Sequence, residues 1–260
     1  LPIFAYSKVK EFLRYFLDLS FNGKNYHGWQ IQPDAISVQE VVERTLSVYF
    51  RAEIKVTAAG RTDTGVHASQ MIVHFDLDTS IDSVEETIFR LNSFLPKDIA
   101  IEDLYEVREE AHARFDATER EYQYGIVLNK DPFRIDVAHQ IFQVPDVGKM
   151  NKAAELLLGY KDFQCFSRSN TDVKTYYCDI KLARWEFEDN FLTFTIRADR
   201  FLRNMVRAIV GTLLDVGNDK ISISQFEEII KSKDRTRAGA SAPAQGLFLT
   251  RVTYPETIYK

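Results

Sequence analysis

Leu13, Tyr15, Leu17, Leu19 and Phe21 alternate with Arg14, Phe16, Asp18 and Ser20. A period of two predicts a strand, moderately buried on both faces, and Asn22-Gly23 signals the turn that ends it. Ser37-Val38-Gln39-Glu40 has the form of a capping box, and Val38, Val41, Val42, Leu46 and Tyr49 follow at helical spacing, so a helix begins there. Ile54 to Ala58 is a short β-branched run, predicted as a strand ending at Gly60, and Met71 to Leu77 is another. Ser83 with Glu86 opens a second helix carrying Ile88, Leu91 and Leu95, stopped by Pro96; Ile99 to Val107 is again strand-like.

The rest of the chain repeats this vocabulary. Glu121 to Leu128 predicts a strand and Met150 to Leu158 a short helix. Tyr176 to Phe187 and Phe191 to Ala198 predict a hairpin turned at Asp189-Asn190. Phe201 to Val216 is the clearest helical pattern, Ser224 with Glu227 is expected to cap a further helix, and Leu247 to Tyr254 predicts a closing strand. Strands and helices alternate without a strict βαβ rhythm, which predicts an α+β fold with a mostly antiparallel sheet. The expected organisation is an N-terminal arm over 1–12, an N-terminal half over 13–117 and a C-terminal half over 118–260. No residue-level repeat relates the halves, and no low-complexity linker separates them.

Composition narrows the class. At 260 residues and 45% hydrophobic content, a chain of this size buries roughly 70–75% of its unfolded surface and needs no disulfide or metal staple. Cys165 and Cys178 are the only cysteines and form no CxxC pair, so they are expected to be reduced thiols in a cytoplasmic protein. No apolar run approaches the roughly 18 residues of a membrane span. The net charge of −5 argues mildly against a nucleic-acid binder, although phosphate binding requires only local positive charge.

The densest chemistry lies in Gly60-Arg61-Thr62-Asp63-Thr64-Gly65-Val66-His67-Ala68, between two predicted strands. A carboxylate, a guanidinium and two glycines this close cannot form a core element, because unpaired buried charge is too costly. The segment is either an exposed turn or a site. A second concentration of charge follows later: Arg200, Arg203 and Arg207 are spaced three and four apart, one face of the predicted helix, with Leu202, Met205, Val206, Ile209 and Leu213 on the other. That basic stripe would supply the local positive charge hidden by the net value.

Segments along nearly the whole chain resemble one family. The nonapeptide at Gly60 is similar to the GRTD-small-GVHA signature of the tRNA pseudouridine synthase A family, with Thr64 where many members carry Ala. In the family's order stand Tyr26-His27-Gly28-Trp29-Gln30-Ile31-Gln32-Pro33, Ser37-Val38-Gln39-Glu40, His112-Ala113-Arg114-Phe115 and Glu119-Arg120-Glu121-Tyr122-Gln123-Tyr124. Phe201-Leu202-Arg203-Asn204-Met205-Val206-Arg207, Asp234-Arg235-Thr236 and Ala242-Pro243-Ala244-Gln245-Gly246-Leu247 complete the set.

The resemblance implies the pseudouridine synthase α+β fold, with two similar sheet-containing halves and an active cleft between them. It implies an isomerase that uses no metal and no organic cofactor. Such an enzyme detaches uracil at N1 of a tRNA uridine, rotates it and rejoins it through C5. By matching motif, Asp63 would be the catalytic carboxylate, Arg207 its charged partner, Tyr122 the ring that stacks on the uracil and Arg61 the side chain that fills the space of the extruded nucleotide. Leu247 would pack against the uracil, and Arg203 of the basic stripe would bind RNA. The implied partners are the tRNA anticodon stem-loop and a second copy of the chain.

Plainer readings accompany some of these. Tyr124 fits a core tyrosine at least as well as a stacker, Trp29 fits the core, and a lone loop histidine such as His67 more often satisfies a backbone group. Two rival functions remain to be weighed. One is a metal-dependent hydrolase built on Asp63, His67 and His74, a spacing that matches no common ligand helix. The other is a non-catalytic RNA-binding module, which has no need of a carboxylate beside phosphate.

Overall fold

A computed structural model describes residues 12–168 and 174–260; the expected arm therefore lies outside the described residues, apart from Phe12. The first half runs β1 (Leu13–Phe21), α1 (Val38–Phe50), β2 (Thr57–Ala58), β3 (His67–Leu77), α2 (Val84–Phe94) and β4 (Ile99–Val107). The second runs β5 (Glu119–Val127), β6 (His139–Gln140), α3 (Val147–Leu156), β7 (Ile180–Glu188), β8 (Phe191–Ala198), α4 (Met205–Gly217), α5 (Ile223–Ser232) and β9 (Leu247–Thr253).

The class is α+β, as expected. The strands form one sheet in the order β4-β1-β3-β9-β5-β8-β7, with β2 on β3 and β6 on β5. The β3–β9 and β5–β6 pairs are parallel and the others antiparallel. The two expected sheets are thus continuous. They merge because β9 leaves the second half and pairs with β3 through His67↔Phe248 and Ala68↔Leu249.

Two apolar cores sit on this sheet. One gathers Phe16, Leu17, Val38, Leu46, Phe75 and Leu91 under α1 and α2. The other gathers Tyr124, Phe163, Trp185, Phe194, Ile209 and Phe226 under α3, α4 and α5. Leu249 and Val252 of β9 pack in the first core, while Val66 packs in the second.

Several boundaries differ from the sequence reading for physical reasons. Of the run Ile54 to Ala58, only β2 pairs with β3. The Ile54 and Val56 amides donate instead to Ser47 Oγ and Glu43 Oε1 of α1, so helix side chains replace a strand partner. Residues Tyr176 to Cys178 precede β7 and bond to the main chain of Lys161 and Phe163. The hairpin turn falls at Asp189 and Asn190 as predicted, both at positive φ. α5 is capped by Ser222 with Gln225, not by Ser224 with Glu227, and the Glu227 carboxylate is engaged by the Tyr160 hydroxyl at 2.6 Å.

Two histidines are built into this frame. His74 is 7% exposed, its Nδ1 accepts the Ala113 amide at 3.0 Å, and it stacks on Phe16. Burial first, then the charge of Arg14, push it down to about 4 from the usual 6.5. Between those values the unfolded chain binds more protons, so stability present above pH 6.5 is lost as pH falls toward 4, by about 3 kcal/mol in full. The unfolding midpoint in urea should drop across this window in the wild type and drop less in His74→Asn, which keeps an acceptor without the titration. Equal slopes in the two proteins would remove His74 as the cause.

Candidate active site

The segment from Gly60 to Val66 links β2 to β3 across the top of the seam. Main-chain bonds fix it: the Trp29 amide donates to the Thr62 carbonyl at 3.2 Å, the Gly65 amide to the Tyr26 carbonyl at 3.3 Å, and the Val66 amide to the Asp63 carbonyl at 3.1 Å. The segment from Tyr26 to Gln30 is therefore its cradle, and contact is close. Gly28 has φ +86, and a Cβ there would lie 2.5 Å from the Thr62 carbonyl oxygen, so only glycine fits. Trp29 is buried, as expected of a core residue.

Beneath the loop His67 pins the seam. Its Nδ1 accepts the Gly23 amide at 3.0 Å, its Nε2 lies 3.2 Å from the Gln245 carbonyl, and its ring stacks on Phe248 at 4.5 Å. Nδ1 as acceptor leaves Nε2–H as the donor, so the ring is neutral and both nitrogens are occupied. Burial lowers its pKa. This is the structural role expected of it. It also withdraws the histidines from the hydrolase reading, since His74 spends Nδ1 on Ala113. Among the described residues no group of three or more His, Cys, Asp or Glu could hold a metal ion.

Asp63 projects from the loop with its side chain 25% exposed. Arg203 Nε stands 3.6 Å from Oδ1 and Arg207 Nη1 stands 3.8 Å from Oδ2. Both are ion pairs beyond hydrogen-bond length, which leaves the carboxylate oxygens accessible. The two arginines differ in exposure: Arg203 is 56% exposed and Arg207 is 21% exposed. Arg207 Nε donates to the Ala242 carbonyl at 2.7 Å, and the Ala242 amide returns a bond to the Arg207 carbonyl. The Ala242 segment therefore aims Arg207.

The expected basic stripe needs correction. α4 begins at Met205, so Arg200 and Arg203 lie on the turn before the helix, and they do not share a helical face with Arg207. Asn204 interrupts the pattern at φ 65, held by a 2.6 Å bond from its amide to Ser241 Oγ. Ser241 also accepts from Arg235, which binds the Ala238 and Gly239 carbonyls, so the Asp234-Arg235-Thr236 motif shapes the strap that bears Ala242. The positive charge is concentrated nonetheless. The Arg114 guanidinium has its pKa lowered by burial and then by the neighbouring charges of Arg61 and Arg200. Arg61 itself is exposed on the loop.

Tyr122 lies on β5, part-buried, edge-on to Phe201 at 5.1 Å. Burial first, then the charge of Asp63, push its hydroxyl up to about 12, so it stays neutral beside the carboxylate. Tyr124 is fully buried and donates to the Pro243 carbonyl, a core role. Leu247 opens β9 opposite Tyr124, 5% exposed in the second core. The sequence reading passed over the Ala242 carbonyl and Asn204, whose local signal is only a short strap between a helix and a strand.

The sequence model of a family described as tRNA pseudouridine synthase matches residues 19–116 and 153–255. The chain belongs to the tRNA pseudouridine synthase family. Among curated members, tRNA pseudouridine synthase A of Parabacteroides distasonis is 49% identical over 246 residues, covering 95% of this chain and 98% of that one. The protein of the same name from Bacteroides thetaiotaomicron is 49% identical over 249 residues, covering 95% and 92%. That from Acetivibrio thermocellus is 38% identical over 241 residues, covering 92% and 98%. Among solved structures, aminoacylhistidine dipeptidase from Vibrio alginolyticus aligns at 13% identity with a TM-score of 0.23, covers 90% of this chain and spans 41% of that one, a likeness too slight to bear on the fold. The two stretches matched by the family model hold Asp63, Arg203 and Arg207, the residues that meet at the centre of the site.

Proposed function

We propose that Asp63 is the carboxylate through which this member of the tRNA pseudouridine synthase family converts uridine to pseudouridine in tRNA. The observation that carries the reading is convergence. One part-exposed carboxylate, two guanidinium groups within 4 Å and a neutral tyrosine ring meet from three separate segments of the chain. The reaction is an isomerisation: the bond from C1′ to N1 breaks, the uracil turns, C1′ bonds to C5, and the hydrogen of C5 is exchanged for one on N1. A carboxylate suits attack on the sugar, attack on the base or proton removal. Caging the freed uracil requires that water be excluded, and Tyr122 would stack on it. Arg61 would stand in for the extruded nucleotide, and Leu247 would bear on the pocket from the core.

The finer expectations belong to the same reading. The substrate region is the anticodon stem-loop, read by shape and backbone more than by base sequence. The working unit is a homodimer in the cytoplasm, and the division at 117/118 separates the catalytic loop from the strand and helix that face it. Mapping pseudouridine in tRNA incubated with the protein tests the whole. New pseudouridine in the anticodon stem-loop supports it, and unmodified tRNA overturns it.

Arg203, exposed and held by one ion pair, is the phosphate-binding candidate. Arg203→Glu should weaken tRNA binding about tenfold at 0.1 M salt and flatten the salt dependence by about one unit of slope. A binding curve unchanged across salt would remove Arg203 from the interface.

A further inference from the structure

Arg120 heads β5, two residues before Tyr122, and its guanidinium makes four hydrogen bonds, each to a main-chain carbonyl. Nη1 donates to Ala117 at 2.8 Å and to Asp199 at 2.7 Å; Nη2 donates to Ala59 at 2.9 Å and to Arg114 at 2.5 Å. The acceptors come from three separate places in the chain: the stretch just before Arg120 that holds Arg114 and Ala117, and two sites 61 and 79 residues away.

Their locations are the point. Ala59 is the last residue before the loop that carries Arg61 and Asp63. Asp199 immediately precedes the turn that carries Arg200 and Arg203. Arg114 places its own guanidinium near Arg61 and Arg200. Arg120 itself fixes the strand that bears Tyr122. Carboxylate, counter-charge and stacking ring thus share one rigid reference.

Burial lowers the pKa of this guanidinium, yet a guanidinium stays charged under any folding condition. A buried cation is an expensive way to hold loops together. A neutral donor suffices for a simple staple, whereas four carbonyls shared between Nη1 and Nη2 suit the planar fork of arginine and not the single point of lysine.

We propose that Arg120 is a positioning residue for uridine isomerisation, holding the Asp63 loop, the Arg203 turn and the Tyr122 strand in catalytic register. This rests on the function proposed for the same site, and it adds a role for a residue that touches neither substrate nor Asp63.

The test uses the full chain with Arg120→Lys and Arg120→Gln, each checked for folding by thermal unfolding and for tRNA affinity by binding titration. Pseudouridine formation is followed in single turnover at saturating tRNA. The expected result is a folded protein with Kd within about threefold of the wild type and a rate lowered about 100-fold, the scale of a misplacement near 1 Å. Arg120→Gln with added methylguanidinium should recover part of the rate while Kd stays put. Wild-type rates in either folded variant would overturn the proposal. So would failure of both variants to fold, which would make Arg120 a staple of the fold alone. A wild-type protein that forms no pseudouridine in the same assay would instead overturn the proposed function, so the two failures are separable.

Discussion

Asp63→Asn is expected to fold, to bind tRNA and to form pseudouridine at least about 10²-fold more slowly than the wild type. Folding survives because the loop is held by main-chain bonds at Thr62, Asp63 and Gly65 that the substitution leaves in place. Arg203 and Arg207 lose a carboxylate, but neither contact is a hydrogen bond and both partners reach solvent. Pairs of this kind contribute about 1 kcal/mol or less. Binding survives because the change removes a negative charge from a surface that must meet phosphate. The chemistry does not survive, since a neutral amide is neither nucleophile nor base. The size of the residual rate is informative: a loss within about 10²–10⁴-fold is what removal of a general base produces, and a larger one is typical of a lost nucleophile. Product accumulating at the wild-type rate, read by mass spectrometry or chemical labelling of the tRNA, would sink the assignment of Asp63.

Most of this architecture can be read from short-range pattern. The alternation over Leu13 to Phe21 and the caps at Ser37 and Ser83 are local signals, and each produced the element it predicts. The failures cluster where a distant partner decides. Nothing within a few residues of Asn204 announces that Ser241 will hold it at positive φ and delay α4 to Met205. Nothing near Val56 announces that Glu43 will satisfy its amide. The parallel pairing of β9 with β3, which makes one sheet of two halves, depends on His67 meeting Phe248 and Gln245 across most of the chain length. Local propensity carries no term for such contacts.

The site follows the same division. Asp63, Tyr122, Arg61 and Arg207 could be singled out because their motifs are compact, and resemblance supplied the roles proposed for them, which residue chemistry alone left open. Arg120 was legible as a letter in a motif but not as a function, because its meaning lies in four carbonyls scattered from Ala59 to Asp199. The acidic net charge pointed away from RNA for a related reason. An average over the chain is blind to Arg61, Arg114, Arg200, Arg203 and Arg207 gathering at one end of the sheet seam.

The two guanidinium groups at Asp63 should not be equivalent, and the difference between them is the last expected result. At about 4 Å and an effective dielectric near 20, a unit charge pair is worth about 4 kcal/mol before screening. Arg203 is more than half exposed, so water and salt reduce its share to below about 1 kcal/mol. Arg207 is 21% exposed and tied to Ala242 through Nε, so its charge is held in place and is screened less than that of Arg203. Arg207→Met should therefore slow the single-turnover rate at saturating tRNA about 100-fold, the scale of removing one preorganised electrostatic partner. Arg203→Met should slow it less than about fivefold while weakening Kd. Arg207→Lys should fall between them, because one ammonium cannot both donate to the Ala242 carbonyl and face Asp63. The bond from the Ala242 amide to the Arg207 carbonyl persists in all three variants, so the strap stays seated and rate changes report on charge. Equal losses for Arg203→Met and Arg207→Met in the chemical step would mean that exposure does not rank these contacts, and the electrostatic role given to Arg207 would fall.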